Sequence, residues 1–191
     1  MIDPLQESKQ MLREEVRARL KAMPPGHHHS ISSHCRILRA QPIWLSAKSI
    51  MFFAPMDYEP SIWPLLTEAM AAGRTVALPR FISATHGYAA CQVRDLSRDI
   101  VVGMFGVREP STSCPEVPLN QLDLVLVPGL AFDARGGRLG RGKGFYDRLL
   151  SGVRGTKCGV AFDEQLVDAV PVGPHDIRLN CILTPTRWIE T

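Results

Sequence analysis

Across residues 5–20 the apolar positions Leu5, Leu12, Val16 and Leu20 recur at intervals of seven, four and four, between mostly charged neighbours, which predicts an amphipathic helix with one buried stripe. Lys9 falls inside that stripe and Arg13 at its edge. Cations on a buried face either snorkel, with packed stems and solvated tips, or meet a buried anion. After Met23 the Pro24-Pro25-Gly26 break and the histidines His27, His28 and His29 predict a loop, followed by a weakly helical stretch over 32–47.

The period then changes. Residues 49–54 form a short apolar run bounded by turn residues, the pattern of a strand covered on both faces. Residues 61–72 predict a helix closed by Gly73 as a C-cap, and 75–78 a second buried strand. Further on, 88–93 predicts a strand, 110–118 a loop, and 122–127 the most apolar strand of the chain. A helix is expected over 145–150, a strand over 157–162, a short helix over 164–169 and a last strand over 181–183. Strands alternating with helices imply an α/β fold with a largely parallel sheet and helices on both faces. No repeat or long linker divides the chain, so 1–191 is expected to be one domain.

Composition narrows the class. With 45% hydrophobic and 21% charged residues the chain is that of an ordinary globular protein. No apolar run approaches the length of a membrane span, and the first 20 residues lack the apolar core of a signal peptide, so a cytoplasmic protein without membrane contact is expected. A net charge of +3 is too mild to mark a nucleic-acid binder. Cys35, Cys91, Cys114, Cys158 and Cys181 are widely spaced and odd in number, which argues against a zinc site or a disulfide framework. Three consecutive histidines cannot easily share one ion, and Trp44, Trp63 and Trp188 are expected in the core.

The chemistry collects where the glycines do. Residues 136–144 hold five glycines in nine positions, directly after the apolar strand and before a helix. Glycine permits the positive φ angles and close approaches that let successive N–H groups point at an anion, and open α/β sheets bind ligands beyond the carboxyl ends of their strands. An isolated glycine-rich stretch reads as a solvated loop; this position favours a phosphate cradle. Arg135, Arg138, Arg141, Lys143 and Arg148 surround it. Charge-assisted bonds of ~1.5–3 kcal/mol each would hold a triphosphate. Gly137, Gly142 and Lys143 satisfy G-x-x-x-x-G-K, but Gly144 stands where a P-loop needs Ser or Thr for magnesium. Asp147 can supply that ligand, with Asp176 as a second.

The run Val127-Pro-Gly-Leu-Ala-Phe-Asp133, followed by Arg138-Leu-Gly-Arg-Gly-Lys-Gly-Phe-Tyr-Asp-Arg148, resembles the signature of the 5-formyltetrahydrofolate cyclo-ligases, also called methenyltetrahydrofolate synthetases. The likeness extends to the Lys9 and Arg13 pair, to Gly106-Val-Arg-Glu-Pro110, and to Phe162-Asp-Glu-Gln165 through His175 and Asp176. It implies a fold of the kind shared by sugar-phosphate isomerases, deaminases and coenzyme A transferases. It implies conversion of 5-formyltetrahydrofolate and ATP to 5,10-methenyltetrahydrofolate, ADP and phosphate, with magnesium. By resemblance Lys9, Arg13, Arg138, Leu139, Gly140, Arg141, Gly142, Lys143, Gly144, Phe145 and Tyr146 would bind ATP, with Arg141, Lys143 and Tyr146 in catalytic roles. Arg141, Gly142, Lys143, Gly144 and Phe145 would also border the folate, and Asp147 and Asp176 would bind Mg2+.

For the pteridine, Glu59 matches the family while its neighbours do not: Pro60 and Ser61 follow it. Glu59 would accept hydrogen bonds from the ring, with Ala54 and Met56 lining the pocket; alternatively Glu59 is only a carboxylate at a helix N-terminus. Small-molecule substrates and a monomer are expected. Two other readings stay open: a non-catalytic relative binding a nucleotide or pterin, and a sugar-phosphate isomerase, which rests on fold alone.

Overall fold

The computed structural model describes residues 3–23, 32–56 and 58–191. The three histidines at 27–29 lie outside them. Helix α1 (Pro4–Lys21) opens where the Asp3 carboxylate accepts from the Leu5 amide at 3.0 Å, with Pro4 in the first turn and Arg19 and Lys21 in the last. It buries Lys9, Arg13, Val16 and Leu20, so the inward cations of the sequence pattern do face inward.

The expected helix over 32–47 is two helices, α2 (Ser32–Arg39) and α3 (Pro42–Ser46). Pro42 has no N–H to continue α2 and holds Gln41 extended at φ −84, ψ 136. The strand expected over 49–54 pairs only as β1 (Ser49–Met51), and the chain beyond it runs into the site described below. Helix α4 (Trp63–Ala71) is closed by Gly73 at φ 72. Strand β2 (Thr75–Ile82) runs four residues past its expected end and pairs with β3 (Gly87–Gln92).

Segment 96–110 carries α5 (Leu96–Asp99) and a hairpin of β4 (Ile100–Val102) and β5 (Arg108–Pro110), which sequence periodicity did not signal. Strand β6 (Leu124–Val127) follows. A small hairpin of β7 (Ala131–Phe132) and β8 (Arg138–Leu139) then precedes α6 (Phe145–Leu150), β9 (Thr156–Val160), β10 (Cys181–Leu183) and β11 (Trp188–Glu190).

The main sheet has the order β11-β10-β9-β6-β1-β2-β3, with β10, β9, β6, β1 and β2 parallel and the two edge strands antiparallel. Alternation along each strand divides its two faces. Ile50, Leu124, Leu126 and Leu183 pack under α2, α3 and α4, whereas Met51, Val125, Val127 and Ile182 pack under α6. Helix α1 covers a third cluster with Leu139 and Phe162. All five cysteines are free and buried; Trp44 is buried, and Trp63 and Trp188 pack at the core margin. Among the described residues no helix is long and apolar enough to cross a membrane.

The helix expected over 164–169 is absent: only a 3-10 turn, Asp163–Gln165, forms there. The Gln165 side chain accepts from the Phe162 amide and donates to the Gly129 and Leu130 carbonyls, while the Val167 amide goes to Phe132. Those bonds pull the chain alongside β7 instead of up a helix.

Asp133 holds the β7–β8 hairpin. Its 2%-exposed carboxylate accepts from the amides of Val170 (2.7 Å), Arg135 (2.9 Å) and Gly137 (3.0 Å). Burial would raise this carboxyl, but the three amide bonds outweigh it and hold the pKa below the usual value. Asp133→Ala is expected to cost about 3 kcal/mol at neutral pH by orphaning buried donors. The carboxylate's contribution is present above the unfolded value of 3.8 and is lost as pH falls through the lower folded pKa. The melting-temperature gap between wild type and variant should therefore narrow in acid, and a gap constant with pH would contradict this.

Candidate active site

The order of strands reverses between β1 and β6, because the chain leaves β1 towards β2 on one side and returns through β6 to β9 and β10 on the other. A cavity of about 440 Å3 lies past the carboxyl ends of these two strands, lined by Phe53 and Ala54 after β1 and by Pro128 and Gly129 after β6. Lys9 and Arg13 from α1, Ala54, Met56 and Glu59 from the segment after β1, 138–147 from the glycine-rich segment, and Asp176 all line this one cavity.

The backbone from Gly140 to Gly144 forms one wall. Gly142 and Gly144 take φ angles of 100 and 65, which side chains resist. None of these five backbone N–H groups donates to another described residue, so consecutive donors are left for a ligand or water. Arg13 supports the wall from below: its Nε donates to the Gly140 carbonyl at 3.0 Å, and its guanidinium lies 3.5 Å from where a side chain at Gly142 would begin. The Lys143 ammonium is exposed and makes no ion pair with another described residue.

At the inner edge, Arg138 (6% exposed) donates to both oxygens of Asp147 at 3.1 Å, and Lys9 (8% exposed) donates to Asp176 Oδ2 at 2.5 Å. The Ile177 amide donates to Asp147 Oδ1 at 3.3 Å, which ties Asp147 to the segment that carries Asp176. Burial would raise Asp176, but the Gly173 amide and Lys9 outweigh it and keep it ionised. Among the described residues no group of three or more His, Cys, Asp and Glu gathers. Two carboxylates lining one cavity suit a hard divalent cation that takes its remaining ligands from phosphates and water.

The other end is more apolar. Glu59, 7% exposed, accepts from the Met56 amide at 3.0 Å and from Arg141 Nη2 at 2.7 Å. It makes no cap on α4, which sets aside its reading as a helix N-terminal carboxylate. Burial pushes its pKa up to about 7, while the Met56 amide pulls it down; the Arg141 guanidinium also favours the carboxylate. Arg141 further lies over the Tyr58 ring, 4.6 Å from its centre, and bonds the Tyr58 hydroxyl. Burial pushes the Tyr146 phenol well above its ordinary value, so it stays protonated.

The structure corrects the expected ring of cations at two positions. Arg135 has a 66%-exposed side chain beside Asp133, and Arg148 donates to the His86 carbonyl; neither lines the cavity. The β7–β8 hairpin is the reason. It turns Gly136 and Gly137 towards Leu179 and Asp133, so only the second half of the glycine-rich segment reaches the site. Tyr88, Pro79, Val107 and Glu109 also line the cavity and were not singled out for it. They come from β2, β3, β5 and the residue just before β5, which approach it only through tertiary pairing.

A model of the 5-formyltetrahydrofolate cyclo-ligase family matches residues 5–185. The chain is 31% identical over 185 residues to the 5-formyltetrahydrofolate cyclo-ligase of Escherichia coli strain K12, covering 92% of this chain and 99% of that one. It is 35% identical over 150 residues to the 5-formyltetrahydrofolate cyclo-ligase of Mycolicibacterium smegmatis, covering 76% and 77%. Among solved structures, the NMR structure of Aquifex aeolicus 5,10-methenyltetrahydrofolate synthetase is similar with a TM-score of 0.83 at 29% identity, covering 95% of this chain and 92% of that one. This chain therefore belongs to the 5-formyltetrahydrofolate cyclo-ligase family.

Proposed function

We propose that the cavity holds ATP and 5-formyltetrahydrofolate together and that the chain converts them to 5,10-methenyltetrahydrofolate, ADP and phosphate. The observation that carries this is the wall of five backbone amides, Gly140 to Gly144, which have no partner among the described residues, with Arg141 and Lys143 in the same cavity as the carboxylate of Glu59. One end of the cavity suits a polyphosphate, and the other a flat ring with N–H donors.

In this reading the formyl oxygen attacks the γ-phosphorus, a P–O bond forms, and the bond to ADP breaks. The folate N10 then closes on the formyl carbon, loses its proton, and expels phosphate. Such a transfer needs in-line positioning and neutralised charge more than covalent help from the protein. The loop amides, Arg141 and Lys143 face the phosphates; Arg13 keeps the loop in place through Gly140; Glu59 and Arg141 together orient the ring. Tyr146 is held neutral beside them and can donate a hydrogen bond through its hydroxyl. Asp147 and Asp176 would hold Mg2+, which supplies charge neutralisation on the β- and γ-phosphates. Asp176→Asn is expected to raise the magnesium needed for half-maximal rate by about tenfold, within the usual range for a weakened metal site. An unchanged magnesium requirement would remove Asp176 from that role.

All these groups come from one chain, which suits a monomer, and five reduced cysteines suit the cytoplasm. Mixing the protein with magnesium ATP and 5-formyltetrahydrofolate carrying 18O in the formyl group tests the whole sequence. Near-ultraviolet absorbance of the methenyl product should rise, and the label should leave in phosphate. ATP binding with no product would select the non-catalytic reading, and unlabelled phosphate would exclude attack by the formyl oxygen.

A further inference from the structure

Glu109 is a second buried carboxylate in the cavity, with no part in the reaction as described so far. It lies on β5 and is 5% exposed. Its Oε2 accepts from the Phe81 amide at 3.0 Å, and its side chain packs so closely on Gly103 that a Cβ there would collide with it. Its other oxygen, Oε1, has no hydrogen-bond partner among the described residues, and no cation forms an ion pair with it. The nearby Arg80 is spent on the Ser111 and Cys114 carbonyls and on Glu116.

Holding the Phe81 amide would need only one neutral oxygen, such as a glutamine carbonyl. On the cavity lining, a mostly buried carboxylate with one oxygen unused by the described residues is open to a donor from a ligand or from water. The surroundings say which. Tyr88 also lines the cavity, and both Glu109 and Glu59 act on its hydroxyl, after burial, to disfavour ionisation. The Tyr88 ring packs edge-on against Phe145 at 5.2 Å and Phe81 at 5.9 Å. Two carboxylates, Glu59 and Glu109, therefore line the same cavity as this cluster of rings.

We propose that Glu109 is a specificity residue for the reduced pterin, accepting through Oε1 a hydrogen bond from the ring's amino group, so that the donor edge is read by Glu109 together with Glu59. This rests on the folate reading above. It supplies a rationale for the carboxylate at 109 within the Gly106-Val-Arg-Glu-Pro110 stretch: the hairpin delivers a charge that the parallel strands themselves do not.

The test is Glu109→Gln, which keeps both the shape and an oxygen for the Phe81 amide. The KM for 5-formyltetrahydrofolate should rise about tenfold, the difference between a charge-assisted and a neutral hydrogen bond, while the KM for ATP changes less than about twofold. A substrate analogue with the amino group replaced by methyl should bind wild type about tenfold more weakly and the variant with a smaller penalty. Equal movement of both KM values, or the same analogue penalty in both proteins, would overturn the role of Glu109. If Glu109→Gln does not fold, Glu109→Asp carries the same expectations, because it keeps the charge and withdraws it by one methylene. A wild type that makes no methenyl product would instead remove the folate reading itself.

Discussion

Lys143→Ala is expected to lower kcat by about 10²- to 10³-fold, the usual cost of deleting one preorganised charge at a transition state, with the melting temperature almost unchanged. Lys143 is exposed on the cavity wall and pairs with no other described residue, so the folded state loses no hydrogen bond when its ammonium is removed. The transferring phosphoryl group would lose a charge it meets only during reaction. Arg135→Ala is the matched control: it removes a cation of the same segment, 66% exposed and outside the cavity, and should leave kcat within about twofold. Steady-state kinetics beside thermal melts decide the matter. A Lys143→Ala enzyme with full turnover, or one that melts as early as a core variant, would contradict the assignment.

The opposite division is expected at Leu124. It opens β6 at the centre of the sheet, is 0% exposed, and packs among Ile50, Leu126 and the helices α2, α3 and α4. Leu124→Ala should cost about 3 kcal/mol through lost transfer energy and a residual cavity, and lower the melting temperature by about 6–12 °C for a chain of this size. Leu124 sits at the amino end of β6, whereas the cavity begins after its carboxyl end at Pro128. Per folded molecule, both KM values should therefore stay near wild type. A variant that melts normally but loses turnover would reverse the roles given to sheet and loop.

What could be read without the fold depended on how local the causes were. The stripe of α1, the buried run of β6 and the C-cap at Gly73 are set by neighbouring residues, and their patterns appear in the sequence. The inward direction of Lys9 and Arg13 was likewise visible from helical spacing alone. Gln165 is the contrary case: its side chain anchors Gly129 and Leu130, far away in sequence, and overrides the helical pattern of 164–169. The β4–β5 hairpin and its Glu109 were equally hidden, because three-residue strands carry too little period and Glu109 finds Phe81 only through the pairing of distant segments.

The glycine-rich segment shows both limits at once. Its composition announced a ligand loop, but nothing local divides it into a structural turn at Gly136 and Gly137 and an anion-facing stretch from Gly140 to Gly144. That division is made by Asp133 and by the close approach of Leu179. Glu59 was visible as a candidate, whereas its partner Arg141, 82 residues away in sequence, needed the fold.

A crystal structure of the protein with Mg2+ and a non-hydrolysable ATP analogue tests the central assignment most directly. The expected result has the terminal phosphate seated on the backbone N–H groups between Gly140 and Gly144 and within reach of Lys143, with the metal against Asp147 and Asp176. A triphosphate bound elsewhere, with those amides still facing solvent, would contradict it.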